Sequence, residues 1–509
     1  MTPPDLTRAA AEASAIAGEW SEARGPGGAI VLFDAGGPRV AASGGYAVPE
    51  HAIPFSPDTP SRWASISKGF CAATVLLSGF DLDAPLGTLV PGLGDAGSGE
   101  AIGAVPLGRA LDMTGGIPDV METLWLLGQP YTAGASEAEL LAFCRRLPGT
   151  SGPPGREMAY SNTGWRLAGA AFPEGRGETY GAALRRLLLE PLGLGGIAFP
   201  EDETTLVPRL ATPCWHDGAA WRRGRYGMHF SPSGGLAGSA TELARWGSAL
   251  LAGRGPLDGM LAALSAPRTT TDGTPSFYGL GLCRVTLGDL ALVGHGGSLP
   301  GIRTHLLMAP ELGCGVALIT NREDAEPLRL ALRIVAAMTD LALPAPAALP
   351  PGLYAEADGP AWAEVEGETV SFMGTADHLF AGPDGVRTLP AYLEASLRVG
   401  PGGVLEGRVG GVARRLLPAD GGAALNPALV GAWRHEAFGA ELEVRPDGTA
   451  ILPGGAVRDS CILRPLPNGG ALADRRHGPW RQRPVLVPER DGSLLLASHR
   501  SRVLRFRRA

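Results

Sequence analysis

The chain has 509 residues, of which 45% are apolar and 19% are charged, and its formal net charge is −7. This composition predicts a soluble protein of two or three globular domains and argues against a nucleic-acid-binding surface, which needs clustered positive charge. The N-terminus lacks a basic segment followed by an apolar run, no membrane-length apolar stretch occurs, and the six cysteines are scattered. We therefore expect a cytoplasmic protein with free thiols, no membrane contact and no zinc site.

The first predicted element is a β-hairpin over residues 27–47, where two apolar stretches are joined by a Gly-Gly-Pro turn. Residues 68–77 form an apolar run that predicts a buried helix. Residues 100–265 are mainly helical in pattern, with many loops.

Two later apolar runs, 290–294 and 313–320, flank His295 and predict antiparallel strands, and residues 328–341 predict a closing helix. A sheet with terminal helices on one side and a helical insert between its strands is an α+β arrangement. We assign residues 1–341 to this first domain.

The pattern changes after this domain. Residues 342–351 are rich in proline and alanine and predict a stiff linker. Beyond it, short alternating segments are separated by Asp-Gly and Gly-Gly turns, and a Gly-x-aromatic motif occurs at both Gly352 and Gly431. We predict two small antiparallel β-barrels, over residues 352–425 and 426–509.

The chain contains one lysine, Lys68, and all its other basic side chains except histidine are arginines. Arginine does not give up its proton near neutral pH, whereas a lysine amine can do so once burial lowers its pKa. Ser65 precedes Lys68 by three residues, which places both side chains on one face of a helix. A hydroxyl at a helix start beside a neutral amine indicates a nucleophilic serine.

A serine nucleophile also needs a group that transfers a proton to the leaving group. Tyr160 and Asn162, in the stretch Tyr-Ser-Asn, are candidates. We expect an ammonium beside Tyr160 to lower the pKa of its phenol and so allow it to relay a proton. The Asn162 amide can hold both the lysine and a substrate amide.

The segment that begins at His295 supplies the third candidate motif, His-Gly-Gly-Ser. Its glycines, including Gly297, would allow a substrate backbone to approach closely. The backbone N–H of Ser298 could pair with that of Ser65 as an oxyanion hole, in which one donor contributes roughly 3–4 kcal/mol to lowering the barrier.

Ser-x-x-Lys, Tyr-x-Asn and His-x-Gly in this order resemble the serine β-lactamase/penicillin-binding-protein superfamily, in particular its class C-like branch, peptidase family S12. The length and the two predicted barrels further resemble the D-stereospecific D-aminopeptidases. That resemblance implies a loop of the last barrel that enters the active site and carries an aspartate for the substrate's α-amino group. Asp474 is the candidate here, although Arg475 and Arg476 follow it directly and could instead bind a carboxylate.

These motifs and the resemblance predict a serine hydrolase that forms an acyl-enzyme on Ser65. Lys68 would act as the base, and Tyr160, assisted by Lys68 and His295, would protonate the leaving amine. The resemblance implies small peptides, amides or esters with an N-terminal D-residue such as D-alanine, a homodimer, and no metal or organic cofactor. The alternatives are an esterase, a β-lactam hydrolase or a penicillin-binding-protein-type thioesterase or cyclase, and a non-catalytic ligand-binding protein.

Overall fold

A six-stranded antiparallel sheet forms the centre of the first domain in the computed structural model, which describes residues 3–93, 102–390, 392–419, 424–454 and 459–509. The hairpin predicted near the N-terminus supplies two of its strands, and four come from the second half of the domain. Along the sheet the strands follow the order Gly37–Gly44, Gly28–Asp34, Cys314–Thr320, Ile302–Ala309, Leu290–Leu299 and Cys283–Leu287.

The two strands predicted around His295 exist, but they do not pair with each other. Ile302–Ala309 lies between them and pairs antiparallel with both, so the two predicted strands run parallel. The first of them also continues through His295 to Leu299. These features were missed because the His-Gly-Gly-Ser segment is poor in apolar residues and the middle strand begins with a polar stretch, Arg303 to His305.

Helices cover both faces of this sheet. Leu6–Glu22 and the closing helix, Pro327–Thr339, pack together on one face. Ala240–Ala252 and Ser67–Leu77 lie on the other face, where Phe70 is buried. The first helix buries apolar residues at helical spacing, and the three alanines among them let it lie close to the strands: Ala9, Ala13, Ile16, Ala17 and Trp20.

The predicted helical insert is present between the strands of the sheet. Its helices are Leu107–Leu111, Val120–Leu126, Glu137–Arg145, Thr163–Arg176, Tyr180–Leu184 and Met260–Ser265. This arrangement agrees with the predicted α+β class. Within the described ranges, no helix is both long and apolar enough to cross a membrane.

A closed eight-stranded antiparallel barrel follows. The proline-rich segment before it runs along the barrel wall, where the Ala347 N–H donates to Leu379 O and the Ala381 N–H donates to Ala345 O. The barrel strands are Gly352–Ala355, Trp362–Glu366, Thr369–Phe372, Thr375–Gly382, Gly385–Thr388, Ala395–Val399, Leu405–Val409 and Val412–Pro418. Residues 420–423, just before the predicted domain boundary, lie outside the described residues.

The C-terminal region forms a nine-stranded sheet that is nearly closed, because its two edge strands are separated in sequence only by Leu463. In order they are Ser460–Ile462, Thr449–Ile451, Ala440–Val444, Gly431–His435, Ser501–Arg508, Leu494–Ser498, Val485–Pro488, Ala471–Leu472 and Arg464–Pro465. Gly352 and Gly431 each begin the first strand of their region with a positive φ, 149° and 140°, which accounts for the repeated glycine. The predicted pair of C-terminal barrel regions is therefore confirmed.

Candidate active site

Ser65 lies in a short 3₁₀ turn, Ala64–Ile66, immediately before the helix Ser67–Leu77. Ala64 has a φ of 51°, a left-handed conformation that is strained for a residue with a Cβ atom. Neighbouring hydroxyls hold this turn: Ser67 Oγ donates to Ala64 O at 2.7 Å, and Thr304 Oγ1 donates to Trp63 O at 2.9 Å. The sequence therefore fixes the serine in a preorganised turn at a helix start, as predicted.

Lys68 is fully buried and directed at Ser65. Its Nζ lies 3.1 Å from Ser65 Oγ, 2.9 Å from Asn162 Oδ1 and 2.8 Å from Ser233 O. Within the described residues, no carboxylate oxygen lies within 4.0 Å of this nitrogen. Burial lowers the pKa of Lys68 well below its ordinary value, and the positive charge of Arg500 lowers it further while Asp119 opposes the shift. A neutral amine beside a hydroxyl can accept its proton.

Asn162 is oriented by Asp119, a buried carboxylate that was not predicted as a site residue. Asp119 Oδ2 accepts from the Asn162 backbone N–H at 2.7 Å and from Asn162 Nδ2 at 2.9 Å. The amide oxygen of Asn162 is therefore the atom that faces Lys68. Asp119 is also the N-cap of the helix Val120–Leu126, and an aspartate before a helix is so common that this pattern alone gave no functional signal.

Tyr160 is buried beside the pair, but its pKa moves in the direction opposite to the one expected. Burial, and next the neighbouring Tyr392, raise the pKa of Tyr160 well above its ordinary value, while Ser65 and Arg500 act in the lowering direction. The prediction assumed an ammonium at Lys68, whereas a neutral amine gives no such stabilisation of a phenolate. Lys68 Nζ lies 4.9 Å from the Tyr160 ring centroid. The raised pKa keeps the Tyr160 phenol in its protonated form, in which it can donate a proton.

His295 is buried and neutral. Burial, followed by the nearby Lys68, lowers the pKa of His295 to about 3. Its Nδ1 lies 2.5 Å from Gly296 O, so this nitrogen carries the proton, and its Nε2 lies 2.9 Å from the Tyr278 hydroxyl. The His295 and Tyr160 rings are 6.3 Å apart. His295 therefore contacts Tyr278, a residue that the sequence analysis did not single out. Among the described hydrogen bonds, none joins His295 to Tyr160.

Gly297 is required by the packing of its strand against the Ala64–Ile66 turn that contains Ser65. A Cβ atom at this position would lie 2.2 Å from Trp63 O and 2.2 Å from Thr304 Oγ1. The absence of a side chain brings the next residue, Ser298, to the same cavity as Ser65. The guanidinium of Arg303 donates to Ser298 Oγ, which leaves the serine side chain engaged beside the cavity.

The cavity in front of Ser65 has a volume of about 310 Å³ and is built from all three parts of the chain. The first domain contributes nine lining residues, among them Ser65, Tyr160, Asn162 and Ser298, the barrel contributes residues 373–376 and Tyr392, and the C-terminal region contributes a further wall. The residues of that wall are Trp480, Arg481, Gln482, Arg483, His499 and Arg500. The predicted C-terminal loop thus does reach the active-site cavity.

Two short strands, Arg475–His477 and Trp480–Gln482, form the hairpin that supplies Trp480, Arg481 and Gln482 to this wall. Arg475 anchors it: the buried guanidinium donates to Gln482 Oε1 at 2.8 Å and to Trp125 O in the catalytic domain. At the hairpin turn, His477 Nε2 lies 2.6 Å from Thr132 Oγ1. We refer to residues 475–482 as the C-terminal hairpin.

Asp474 is not brought to the cavity. It precedes the hairpin and does not belong to the described lining residues. Its carboxylate accepts from Arg481 Nε at 2.8 and 3.0 Å, a contact that lowers the pKa of Asp474 and satisfies its charge. The geometry therefore does not support the predicted role of Asp474 as an anchor for a substrate amine, because the Arg481 guanidinium already binds the Asp474 carboxylate.

The charged residues that line the cavity are four arginines and one glutamate, within the described part of the chain. Arg303, Arg481 and Arg483 form ion pairs with Glu323, Asp474 and Glu364, respectively. Glu122 accepts a hydrogen bond from Gln482 Nε2 at 2.8 Å, and burial raises the pKa of Glu122. Arg500, whose Cζ lies 4.9 Å from the Tyr160 ring centroid, forms no ion pair with any described residue. Among the described lining residues, Arg500 and Glu122 are therefore the charged groups outside these three ion pairs, and the charge of Arg500 acts to lower the pKa of both Glu122 and Lys68.

These charges predict how activity depends on pH. The base form of Lys68 is lost as pH falls through its lowered pKa, so kcat/KM should fall on the acidic side, and His295 should add no transition near neutral pH. Arg500→Gln removes a positive charge that lowers the pKa of Lys68 and should move the acidic limb to higher pH.

Arg481→Gln is the matched control, because its charge is paired with Asp474. Because the chain has a single lysine, ¹⁵N-lysine labelling gives one Nζ resonance, and its titration measures the same pKa directly. An acidic limb that stays in place in Arg500→Gln, or a Lys68 resonance that titrates at the ordinary lysine pKa, would contradict this assignment.

Comparison with known proteins agrees with this geometry. The family model described as Beta-lactamase matches residues 12–339. The D-aminopeptidase of Gluconobacter oxydans (strain 621H) is 27% identical over 327 residues, 62% of this chain and 59% of that enzyme, so the match spans less than two thirds of the relative.

Two solved structures share the fold. The octameric penicillin-binding protein homologue from Pyrococcus abyssi superposes with a TM-score of 0.58 at 18% identity and covers 99% of both chains. The D-amino acid amidase from Ochrobactrum anthropi SV3 complexed with D-phenylalanine gives a TM-score of 0.53 at 23% identity, over 66% of this chain and 99% of that one. These matches confirm the predicted superfamily and support the predicted enzyme class, a serine hydrolase. The chain belongs to the beta-lactamase family.

Proposed function

We propose that this protein is a serine hydrolase that releases N-terminal D-amino acids, of the D-alanine type, from small peptides, amides or esters through an acyl-enzyme on Ser65. The observation that carries the chemistry is the 3.1 Å contact between the buried amine of Lys68 and Ser65 Oγ. The D-amino acid preference rests on the D-aminopeptidase and D-amino acid amidase to which the chain is similar.

The proposed reaction has two stages. Lys68 Nζ takes the proton of Ser65 Oγ, and the oxygen attacks the substrate carbonyl carbon to give a tetrahedral oxyanion, which the backbone N–H groups of Ser65 and Ser298 would stabilise. The C–N bond then breaks while the Tyr160 hydroxyl protonates the leaving amine, and the Lys68 ammonium returns a proton to Tyr160. Lys68 Nζ then takes a proton from water, and the resulting hydroxide attacks the carbonyl carbon of the ester. The bond between that carbon and Ser65 Oγ breaks while the Lys68 ammonium returns the proton to Ser65 Oγ, which releases the acid and restores both side chains.

The roles of the surrounding residues follow from their contacts. Asn162, held by Asp119, fixes the position of the Lys68 amine without a charge next to it. His295 holds the Tyr278 hydroxyl rather than exchanging protons with substrate. In this proposal the catalytic residues are Ser65, Lys68 and Tyr160, and the others are positioning residues.

A direct test compares hydrolysis of D-alanine p-nitroanilide and L-alanine p-nitroanilide. We expect turnover of the D-compound, little of the L-compound, and a mass increase on Ser65 when a slow ester of D-alanine is used. Ser65→Ala is the control and should be inactive. Equal turnover of the two enantiomers would contradict the proposed stereospecificity, and an active Ser65→Ala protein would contradict the serine mechanism itself.

A second candidate function keeps this chemistry but changes the acyl donor. Arg500 faces the nucleophile without an ion-pair partner among the described residues, and Asp474 is not available for a substrate ammonium. A guanidinium in a partly enclosed cavity favours a carboxylate. Such a charge suits a donor with a carboxylate near the scissile bond, as in a β-lactam hydrolase, an esterase of acidic substrates, or a penicillin-binding-protein-type thioesterase or cyclase.

The two candidates predict opposite effects of charge. If Arg500 binds a donor carboxylate, Arg500→Gln should lower kcat/KM for N-succinyl-D-alanine p-nitroanilide by about 10- to 100-fold, the equivalent of a charge-assisted hydrogen bond. The same variant should raise kcat/KM for the unblocked D-alanine p-nitroanilide. The ratio of the two substrates cancels any change in the pKa of Lys68, and Arg481→Gln should leave that ratio unchanged. An unaltered ratio in Arg500→Gln would exclude the second candidate.

The assembly and the compartment also belong to the proposal. We propose a homodimer in the cytoplasm. The homodimer rests on the resemblance to D-aminopeptidases, whereas the Pyrococcus protein is octameric. The cytoplasmic assignment is supported by the six cysteines, all of which are described and unpaired, as expected for a reducing compartment.

A further inference from the structure

A second cavity is lined by Arg62, which lies just before the Ala64–Ile66 turn that contains Ser65. Its volume is about 360 Å³, and among the described residues no side chain lines both this cavity and the one that contains Ser65. We call it the Arg62 cavity; its lining residues are Arg62, Glu203, Thr204, Leu210, Pro213, Arg223, Gly224, Arg225, Tyr226, Phe230, Leu299, Pro300 and Ile302.

Arg62 is the unusual member of this cavity. Only 6% of its surface is exposed, and its Nη1 is buried without a hydrogen-bond partner within the described structure. The one contact made by Nη2 is long, 3.5 Å to Asp202 O. No carboxylate oxygen of a described residue lies within 4.0 Å of the guanidinium. A buried charge without a partner costs several kcal/mol, so this arrangement indicates a missing counter-ion.

The packing around Arg62 holds the guanidinium in one place. Its Cζ lies 4.6 Å from the Phe230 ring centroid, and Phe230 in turn stacks on Tyr226 with centroids 5.4 Å apart. A guanidinium stacked on an aromatic face keeps its N–H groups free at the edge, where they can bind both oxygens of a carboxylate. The group is therefore preorganised for an anion rather than simply excluded from water.

The charge balance of the cavity also favours an anion. Arg225 and Glu203 form a loose pair at 3.8 Å, and Glu203 accepts from the Tyr226 backbone N–H at 2.9 Å, so this carboxylate is engaged. Arg223 is exposed and forms no ion pair with a described residue. Among the described residues, neither Arg62 nor Arg223 thus has a carboxylate oxygen within 4.0 Å; burial lowers the pKa of Arg62 to about 10, and the more distant charges of Glu203 and Asp202 only partly oppose that shift.

The rest of the wall is apolar. Phe230, Leu299 and Ile302 belong to one buried hydrophobic cluster, and Leu210, Pro213 and Pro300 complete the lining. A small inorganic anion would leave this apolar surface unfilled. We infer that the Arg62 cavity is a binding site for an organic monocarboxylate with an aliphatic or aromatic body, whose carboxylate pairs with Arg62.

This site is separate from the proposed hydrolytic chemistry, but it touches the same backbone. Arg62 precedes Ser65 by three residues, and Leu299 follows Ser298 directly. A carboxylate held there would lie against residues that are close in sequence to Ser65 and to Ser298, without entering the catalytic cavity.

Calorimetric titration of the full-length protein tests the inference with hexanoate and with its uncharged analogue hexanamide. We expect one hexanoate per chain and binding of hexanamide that is about tenfold weaker or more, because the amide cannot form the ion pair. Arg62→Met should weaken hexanoate by the same factor and leave hexanamide unchanged. Arg222→Met is the matched control, since that arginine is exposed, pairs with Asp217 and does not line the cavity.

Arg500→Gln distinguishes the two cavities, and it should leave hexanoate binding intact. Equal affinity for the two ligands, no binding of hexanoate at millimolar concentration, or loss of binding in Arg500→Gln but not in Arg62→Met would each overturn the inference. If Arg62→Met does not fold, Leu210→Trp, which adds bulk at a lining residue and keeps the charge, should abolish binding; unchanged binding in that variant would also overturn the inference.

Discussion

Replacing Lys68 with arginine or methionine is expected to lower kcat by roughly 10³- to 10⁵-fold. Arginine keeps a positive charge and hydrogen-bond donors but cannot accept a proton near neutral pH, whereas methionine keeps much of the shape and lacks any base. The buried amine is 3.1 Å from Ser65 Oγ, so the loss should appear in the acylation rate measured by stopped-flow with a chromogenic substrate. Thermal melting of each variant shows whether it is folded.

The double variant Ser65→Ala/Lys68→Met gives the matched control. If Ser65 and Lys68 act as one unit, kcat of the double variant should equal that of the slower single variant, because the loss of either group already prevents formation of the reactive alkoxide. A Lys68→Arg enzyme that keeps more than a tenth of the activity, or additive losses in the double variant, would contradict a role for this amine as the base.

Replacing Tyr160 with phenylalanine is expected to lower kcat for amide substrates by about 10²- to 10³-fold. The loss should be far smaller for p-nitrophenyl esters, because nitrophenolate leaves without a proton. The hydroxyl is buried and has no hydrogen-bond partner of ordinary geometry in the described structure, so its removal should not lower the melting temperature.

Tyr278→Phe is the control for this substitution. It removes a hydroxyl that contacts His295 rather than the nucleophile, and it should affect amides and esters equally. If Tyr160→Phe slowed esters as much as amides, Tyr160 would not be the proton donor, and its place in the site would be structural.

The proposed nucleophile and base, Ser65 and Lys68, could be predicted from the sequence because their spacing at a helix start determines that they lie close together. A single lysine three residues after a serine places both on one helix face, and the fold preserves that relation at Ser65 and Lys68. The electrostatic state of Tyr160 could not be predicted in the same way, because its pKa depends on burial by residues that come from distant parts of the chain, such as Tyr392.

The residues that the sequence analysis missed share one property: each reaches the site through tertiary packing. Asp119 looks like an ordinary helix cap, and Arg500 is one of many arginines near the C-terminus. Asp474 was singled out because of its place in a loop. In the structure, Arg481 pairs with Arg476 across the hairpin and its side chain reaches back to bind Asp474, while other side chains of the hairpin line the cavity. Spacing along the chain contains no information about such register.

The C-terminal hairpin, which forms part of the cavity wall, is far in sequence from the residues proposed to react. The proposed proton-transfer groups lie before residue 161, whereas the hairpin that forms part of the cavity wall begins at Arg475. Substitutions, insertions or exchanges within this short stretch can therefore change which compounds are admitted while the reaction itself stays the same. Substrate range and reactivity could therefore be engineered separately in this protein, the first through the C-terminal hairpin and the second through the residues around Ser65.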